Sequence, residues 1–391
     1  MRVLIVFDKF KDSMSAGTAC LAAAESLRAR HPDWELDVCP LADGGEGFVE
    51  ILTAAAGGTL EAQTVSGPRG APVNAAYGLV PVQTIPMAAR AMLQLPGVAE
   101  DARIAVIEMA AASGLALLSS AERDPWRATS TGTGELIAAA TAAGAAALLL
   151  GVGGSATHDL GLGALAALGL RFRSQRGEGI NPPIPSDWAK IERIEGNLPA
   201  GLPPVRIACD VSNPLLGARG AAAVYGPQKG LRPADLAKLD SASARLALML
   251  CARFGRSDSL MDEPGAGAAG GIAFGLMASA GAALLPGFDL VAAWLGLETR
   301  IAAADFVITG EGRFDDSSLE GKGPGAIAAR ALDLGKPVHV FAGQVTTRHA
   351  RPGLALHAIT PANEPLGDAL RNGRASLAAA VSETFRNLNR S

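Results

Sequence analysis

The chain has 391 residues, more than a single hydrophobic core usually serves, so two domains are expected. It is 49% hydrophobic and 18% charged, with 47 Gly and 24 Pro, which excludes a disordered or low-complexity protein. A formal net charge of −4 and a pI near 5.8 give no general electrostatic basis for binding nucleic acid or an anionic membrane.

Short β-branched runs alternate with Ala- and Leu-rich stretches, the pattern of parallel sheets covered by helices. Arg2–Phe7 reads as a buried strand, followed by a polar loop and a helix from about Ser15 to Arg30. Glu35–Cys39 is the next strand, and Asp43-Gly44-Gly45-Glu46-Gly47 leads into another helix. From Thr59 to Val80 the residues alternate and break at Ser66-Gly67-Pro68-Arg69-Gly70, which predicts an antiparallel hairpin. Strands recur at Ile104–Glu108, Ala146–Val152 and Val205–Cys209, with long helical stretches over Leu231–Phe254 and Ala266–Ala283. Asp305–Thr309, Val338–Ala342 and Ala355–Ile359 then repeat the opening pattern. The fold expected is α/β with two α/β domains. Residues 1–66 and 285–391 form a discontinuous, doubly wound outer domain with a mostly parallel sheet, and residues 67–284 form a second domain inserted into it.

The four cysteines form no CxxC pair and fit buried, reduced thiols in a cytoplasmic chain. Leu136–Val152 is 17 mostly apolar residues, but Thr141 and Gly144 break it, so a helix followed by a buried strand is expected rather than a membrane span. Nothing in the residues sets the oligomeric state, and a homodimer stays open.

Ligands of open α/β sheets sit at the carboxyl ends of strands. Here those ends hold Asp8-Lys9-Phe10-Lys11-Asp12-Ser13, Asp43–Gly47, Gly153-Gly154-Ser155-Ala156-Thr157-His158-Asp159, Asp210-Val211-Ser212-Asn213 and Gly310-Glu311-Gly312-Arg313-Phe314-Asp315. Helix caps and turns account for any one of them. Together they suit anionic ligands: glycine admits backbone N–H groups to phosphate, lysine supplies charge, and acids hold Mg²⁺ or accept a proton. The loop Gly153–Thr157, between a strand and a helix, is where a phosphate nest belongs. Facing acids, lysines and glycine nests suggest phosphoryl transfer from a nucleotide to a small molecule. No GxxxxGK[ST] is present, because Gly323 follows Gly321-Lys322. A GxGxxG at Gly265–Gly270 does not directly follow a strand and reads as close packing or substrate-side backbone, which counts against a nicotinamide oxidoreductase.

Of 34 basic residues only seven are Lys, yet Lys9, Lys11, Lys229 and Lys322 all lie in Gly- or acid-rich loops. A chain that otherwise uses Arg keeps the compact ammonium where a planar fork does not serve.

These residues resemble the bacterial glycerate kinase family over nearly the whole chain. Asp8–Ala16 is similar to the family's D-S-F-K-G-S-L-S-A, Ala42–Phe48 to A-D-G-G-E-G-T, and Thr129–Glu135 to T-S-x-G-T-G-E. Gly153–Gly161 resembles G-G-S-A-T-N-D-G-G, Asp210–Leu215 D-V-x-N-P-L, and Gly226–Gly230 G-P-Q-K-G. Thr309–Asp315 and Gly321–Pro324 resemble T-G-E-G-x-x-D and G-K-x-P. The departures are Lys9 for Ser, Asp12 for Gly, His158 for Asn and Leu160 for Gly, with a longer stretch over Thr84–Asp101 that reads as a flexible surface insertion.

The resemblance implies ATP-dependent phosphorylation of D-glycerate to 2-phosphoglycerate in a cleft between two domains. The alternatives are formation of 3-phosphoglycerate, action on a related hydroxy acid, or a sensor that binds glycerate without consuming ATP. It implies Lys11 and Ser13 for the substrate carboxylate, with Asp8, Lys9 and Arg69 also at the substrate. Asp210 or Asp43 is the catalytic acid–base residue, and Asp43 and Asp315 are the candidates for Mg²⁺. Gly153, Gly154, Ser155, Ala156 and Thr157 would hold nucleotide phosphates, while Lys229 or Lys322 neutralises the transferred group.

If Lys11 meets the substrate carboxylate, Lys11→Arg should fold normally and lose catalytic efficiency by roughly 10–150-fold, the worth of one charge-assisted contact. Lys238→Arg, on an expected exposed helix face, should be silent. Steady-state kinetics and melting curves of the two variants check this, and wild-type behaviour of both would refute it.

Overall fold

The structure is a computed structural model that describes residues 1–319, 323–347 and 351–386. Strands β1 (Arg2–Phe7) and β2 (Glu35–Val38) open the chain. Its middle supplies β3 (Thr59–Ser66), β4 (Pro72–Pro81), β5 (Arg103–Glu108), β6 (Ala147–Gly151), β7 (Arg171–Arg173), β8 (Gly179–Ile180), β9 (Arg193–Glu195), β10 (Val205–Ala208) and β11 (Ala283–Leu285). The close is β12 (Phe306–Phe314), β13 (Val338–Val345) and β14 (Leu354–Ala358). The chain divides into two compact units, Met1–Asp43 with Val291–Ser391, and Gly44–Leu290.

The expected domain boundaries, at residues 66 and 285, differ from these. The first moves because β3 pairs along its whole length with β4, from Thr59↔Leu79 to Ser66↔Pro72, so the hairpin belongs entirely to the second unit. Hydrogen bonding of the ladder, rather than the turn at 66–70, decides which unit takes the segment.

In the first unit all five strands are parallel, in the order β14-β13-β12-β1-β2. Both faces of such a sheet must be covered, which is why β1 reads Val-Leu-Ile-Val-Phe, every one of those side chains buried. Helix Ala16–Arg30 starts at Ser15, whose hydroxyl accepts the Thr18 amide. Its small residues Ala19, Ala22 and Ala23 are buried with Leu377, Val381 and Phe385 of the C-terminal segment in one core. Burial raises the Cys20 thiol to about 12 and the Cys39 thiol to about 11, so both stay protonated and inert. The chain order of neighbouring strands reverses between β1 and β12. That reversal is a topological switch point, where a crevice opens at the carboxyl ends.

The second unit holds a six-stranded sheet, β11-β10-β6-β5-β4-β3, parallel from β11 to β5 and antiparallel at β4 and β3. A small antiparallel sheet, β8-β7-β9, stands apart from it. Leu136–Val152 divides as expected into the end of helix Thr131–Ala142 and strand β6. Among the described residues no helix is long and apolar enough to cross a membrane. The stretch 84–101 is not a free surface insertion. It contains helix Met87–Leu93, with Ala89 and Leu93 buried, and Arg206 donates to the carbonyls of Leu93 at 2.7 Å and Gln94 at 2.6 Å.

The GxGxxG segment is a packing device, as its lack of a preceding strand predicts. A Cβ on Gly267 would stand 2.3 Å from the Pro214 carbonyl oxygen, and one on Gly270 2.1 Å from that of Thr157, where φ is also +72°. Gly270→Ala should therefore cost about 3 kcal/mol or more, because it joins a clash with backbone to left-handed strain. Gly144→Ala, at φ +79° with nothing within 4 Å, should cost only about 1–2 kcal/mol. Urea unfolding of both variants checks the difference.

Candidate active site

In the first unit the crevice at the switch point is a cavity of about 650 Å³. The loop after β1 contributes Asp8, Lys9, Lys11, Asp12 and Ser13, the residue after β2's loop contributes Asp43, and the end of β12 contributes Glu311 and Arg313. Each polar side chain arrives by one route, a parallel strand ending at the same edge of the sheet. Asp8 is almost fully buried and its Oδ1 accepts the Lys9 amide at 2.7 Å. The Lys9 ammonium lies 3.8 Å from Asp43 Oδ1. Ser13 donates its hydroxyl to the Leu370 carbonyl at 2.7 Å, which ties the loop to helix Leu366–Thr384. Asp12, which stands where the family has Gly, has φ +61°, so the backbone there keeps the conformation that favours glycine.

Glu311 is a candidate at the crevice that the sequence reading did not single out. Burial raises its carboxyl to about 7; a hydrogen bond from Ser318 lowers it, and the charges of Asp8, Asp315 and Asp43 raise it further. The signal was available in part, since Glu311 stands at a strand end within the Thr309–Asp315 motif with Asp315 four residues on, but Asp8 and Asp43, which also act on it, are remote in sequence. Asp315 itself pairs with Arg313 at 3.3 Å. Asp8, Asp12, Asp43, Glu311 and Glu364 line the crevice, and carboxylates are hard oxygen donors, the chemistry that Mg²⁺ takes. Among the described residues no three His, Cys, Asp or Glu side chains converge as a closed ligand set.

The second unit carries the other candidates. Gly153–Thr157 follows β6, with Gly154 at its exposed tip in a left-handed turn, φ +70°. Gly153 donates its amide to the Gly44 carbonyl at 2.9 Å, and a Cβ there would stand 2.7 Å from Gly45 Cα. These glycines therefore serve close backbone packing as well as any ligand. Ala156 donates its amide to Ser113 O at 2.9 Å, and Ser155, Ala156 and Thr157 are all buried. Lys229, expected to neutralise the transferred group, instead turns inward. It is 2% exposed and its Nζ donates to Ser155 Oγ at 2.9 Å and Thr157 O at 2.7 Å. Burial lowers this ammonium to about 7, against the opposing pull of the Asp159 carboxylate.

Two further expectations change. Asp210 accepts the Phe288 amide on its carboxylate, at 2.9 Å to Oδ2, at the start of helix Gly287–Trp294. Its carboxylate thus stands at the start of a helix 78 residues further along the chain. Arg69 donates to the Glu122 carbonyl at 2.7 Å within the second unit, and does not line the crevice of Asp8 and Lys11. Lys322 lies outside the described residues. The structure thus gathers Asp8, Lys9, Lys11, Ser13 and Asp43 around one cavity and leaves Asp210, Arg69 and Lys229 in the other unit.

The Glycerate kinase family model matches residues 3–389. Glycerate 2-kinase of Escherichia coli is 38% identical over 352 residues, which cover 88% of this chain and 86% of the relative. Glycerate kinase of Bacillus subtilis is 39% identical over 380 residues, 95% of this chain and 94% of the relative. A crystal structure from Salmonella typhimurium LT2, provisionally named glycerate kinase 2, superposes with a TM-score of 0.75 at 38% identity, covering 99% of this chain and 98% of that one.

In metal-free protein Glu311 takes up a proton on folding between about pH 4.5 and 7, because its carboxyl is raised to about 7 from 4.5. Its contribution to stability should fall as pH rises through that window and stay lost above it. Glu311→Gln should flatten this part of the profile. Urea midpoints from pH 4.5 to 8 measure it, and parallel profiles for the two proteins would refute the assignment.

Proposed function

The chain belongs to the glycerate kinase family, and from that premise we propose that it transfers the γ-phosphoryl group of ATP to the 2-hydroxyl of D-glycerate. The observation that carries the reading is the crevice at the switch point, where cations and acids meet around one cavity. A three-carbon hydroxy acid needs both: a cation for its carboxylate and an acid for its hydroxyl proton. The choice of the 2-hydroxyl draws on the name of the Escherichia coli relative, a glycerate 2-kinase.

In this reading Lys11, helped by Arg313, meets the substrate carboxylate. Lys9 is held by Asp43 and offers a second cation beside it. Ser13 fixes the loop that carries them, since its proton already goes to Leu370. Glu311 takes the proton of the acceptor hydroxyl. A base works best when its pKa lies near the working pH, and Glu311 at about 7 meets that condition where ordinary carboxylates do not. The assignment moves the base from Asp210 and Asp43 to Glu311. Asp43 and Asp315 are then the carboxylates for Mg²⁺, which when bound neutralises charge on the phosphate oxygens. The nucleotide phosphates take the backbone at the Gly154 tip, with Gly153, Ser155, Ala156 and Thr157 behind it as support. Catalysis in this scheme comes from positioning and electrostatics rather than covalent chemistry.

Purified protein should release ADP from ATP in the presence of Mg²⁺ and D-glycerate, and phosphorus NMR should detect 2-phosphoglycerate. Exclusive appearance of 3-phosphoglycerate would move the reaction to the other hydroxyl. Absence of ADP release across D-glycerate and related hydroxy acids would leave the sensor reading in its place.

A further inference from the structure

Three motif segments of the second unit meet in one buried polar network whose centre is away from solvent. Asp159 is fully buried, and its carboxylate accepts from the Ser130 amide at 2.7 Å, the Ser130 hydroxyl at 2.8 Å, the Gly161 amide at 3.1 Å and the Gly163 amide at 3.2 Å. Ser130 Oγ in turn accepts the Ala164 amide at 3.0 Å. At the other end of the same loop the Lys229 ammonium donates to Ser155 Oγ and Thr157 O. Opposite charges are thus built into the loop at both ends, each met by hydrogen bonds. That is the condition under which a buried charge fixes geometry instead of disrupting it.

The contacts of Lys229 lie directly behind the exposed tip. Its two acceptors follow Gly154 by one and three residues. The intervening Ala156 amide is fixed to Ser113 O, and the Gly154 carbonyl accepts the Leu115 amide at 2.8 Å. An arginine fork would not fit between one hydroxyl and one carbonyl in so closed a space. In a chain with 27 Arg among 34 basic residues, this supplies the physical reason for a lysine at position 229.

We infer that Lys229 is a positioning residue for the glycine loop after β6: it acts through Ser155 and Thr157 to hold the Gly153–Gly154 tip in one conformation, and does not itself contact the transferred phosphoryl group. The inference rests on the reading of that tip as the nucleotide-phosphate contact.

Lys229→Met removes the ammonium and keeps most of the stem. Ser155→Ala removes one acceptor, leaves the charge in place, and carries the test if the first variant fails to fold. Two measurements on each separate the claims. The first is amide hydrogen exchange of the segment 153–160 in the protein without nucleotide, which should speed up in both variants. The second is kinetics. The KM for ATP should rise about 10- to 100-fold for Lys229→Met, and less for Ser155→Ala, while the KM for glycerate stays at the wild-type value. A merely structural role would move both KM values together. Faster exchange with an unchanged KM for ATP supports the positioning role and overturns the nucleotide reading of the loop. Unchanged exchange in both variants overturns the positioning role, and a fall in kcat for Lys229→Met with the loop's exchange unaltered would return Lys229 to the phosphoryl group.

Discussion

The burial of Asp159 is the constraint on which the second unit is organised. A carboxylate withdrawn from water costs several kcal/mol unless its lone pairs are met. Here four donors meet them, from Ser130, Gly161 and Gly163, and burial still pushes the group above its ordinary value. To supply those donors the chain has to bring the start of helix Thr131–Ala142 against the loop after β6. The approach is close enough that a Cβ on Gly134 would stand 2.4 Å from Ala164 O, and one on Gly163 2.2 Å from Thr129 Oγ1. Glycines in the Thr129–Glu135 motif are therefore explained by packing, and Glu135 is explained by Ser66, whose amide and hydroxyl it accepts at 2.6 and 2.9 Å.

The crevice of the first unit follows the opposite policy. Its acids stand close enough that their mutual repulsion adds to burial at Glu311. Charged groups lining an open crevice are placed to meet a ligand, whereas charge enclosed in a buried network is architecture. The distinction sorts the lysines too. Lys9 and Lys11 line the cavity, and Lys229 is buried in the loop's interior.

The departures from the family motifs fit this division. Asp12 and Leu160 occupy positions with φ of +61° and +54°, so the backbone retains a glycine-like shape while the side chain changes. Leu160 recovers part of its strain by full burial against Gly271 and Gly275. His158 is buried with Nε2 3.0 Å from Ser243 Oγ, and burial lowers its imidazole to about 3, so it is a neutral core residue in this chain. Lys9 and Asp12 are the two that change the charges of the crevice, a cation in place of Ser and an acid in place of Gly.

Much was legible from residues alone. Alternation of apolar strands and Ala-rich helices determined the α/β class, because parallel strands covered on both faces have to be apolar throughout. Strand-end position determined that Asp8, Lys9, Lys11, Ser13 and Asp43 would gather, because parallel strands all deliver their carboxyl ends to one edge. The assignment of residues 59–66 to the second unit was decided by the β3–β4 ladder, a pairing that a local turn signal does not weigh. The near-neutral carboxyl of Glu311 depends first on its burial and then on Asp8 and Asp43, remote in the chain, as well as the nearby Asp315, and the inward turn of Lys229 depends on what closes over it. Charge state and side-chain direction are properties of burial and of neighbours remote in the chain, so only the tertiary structure decided them.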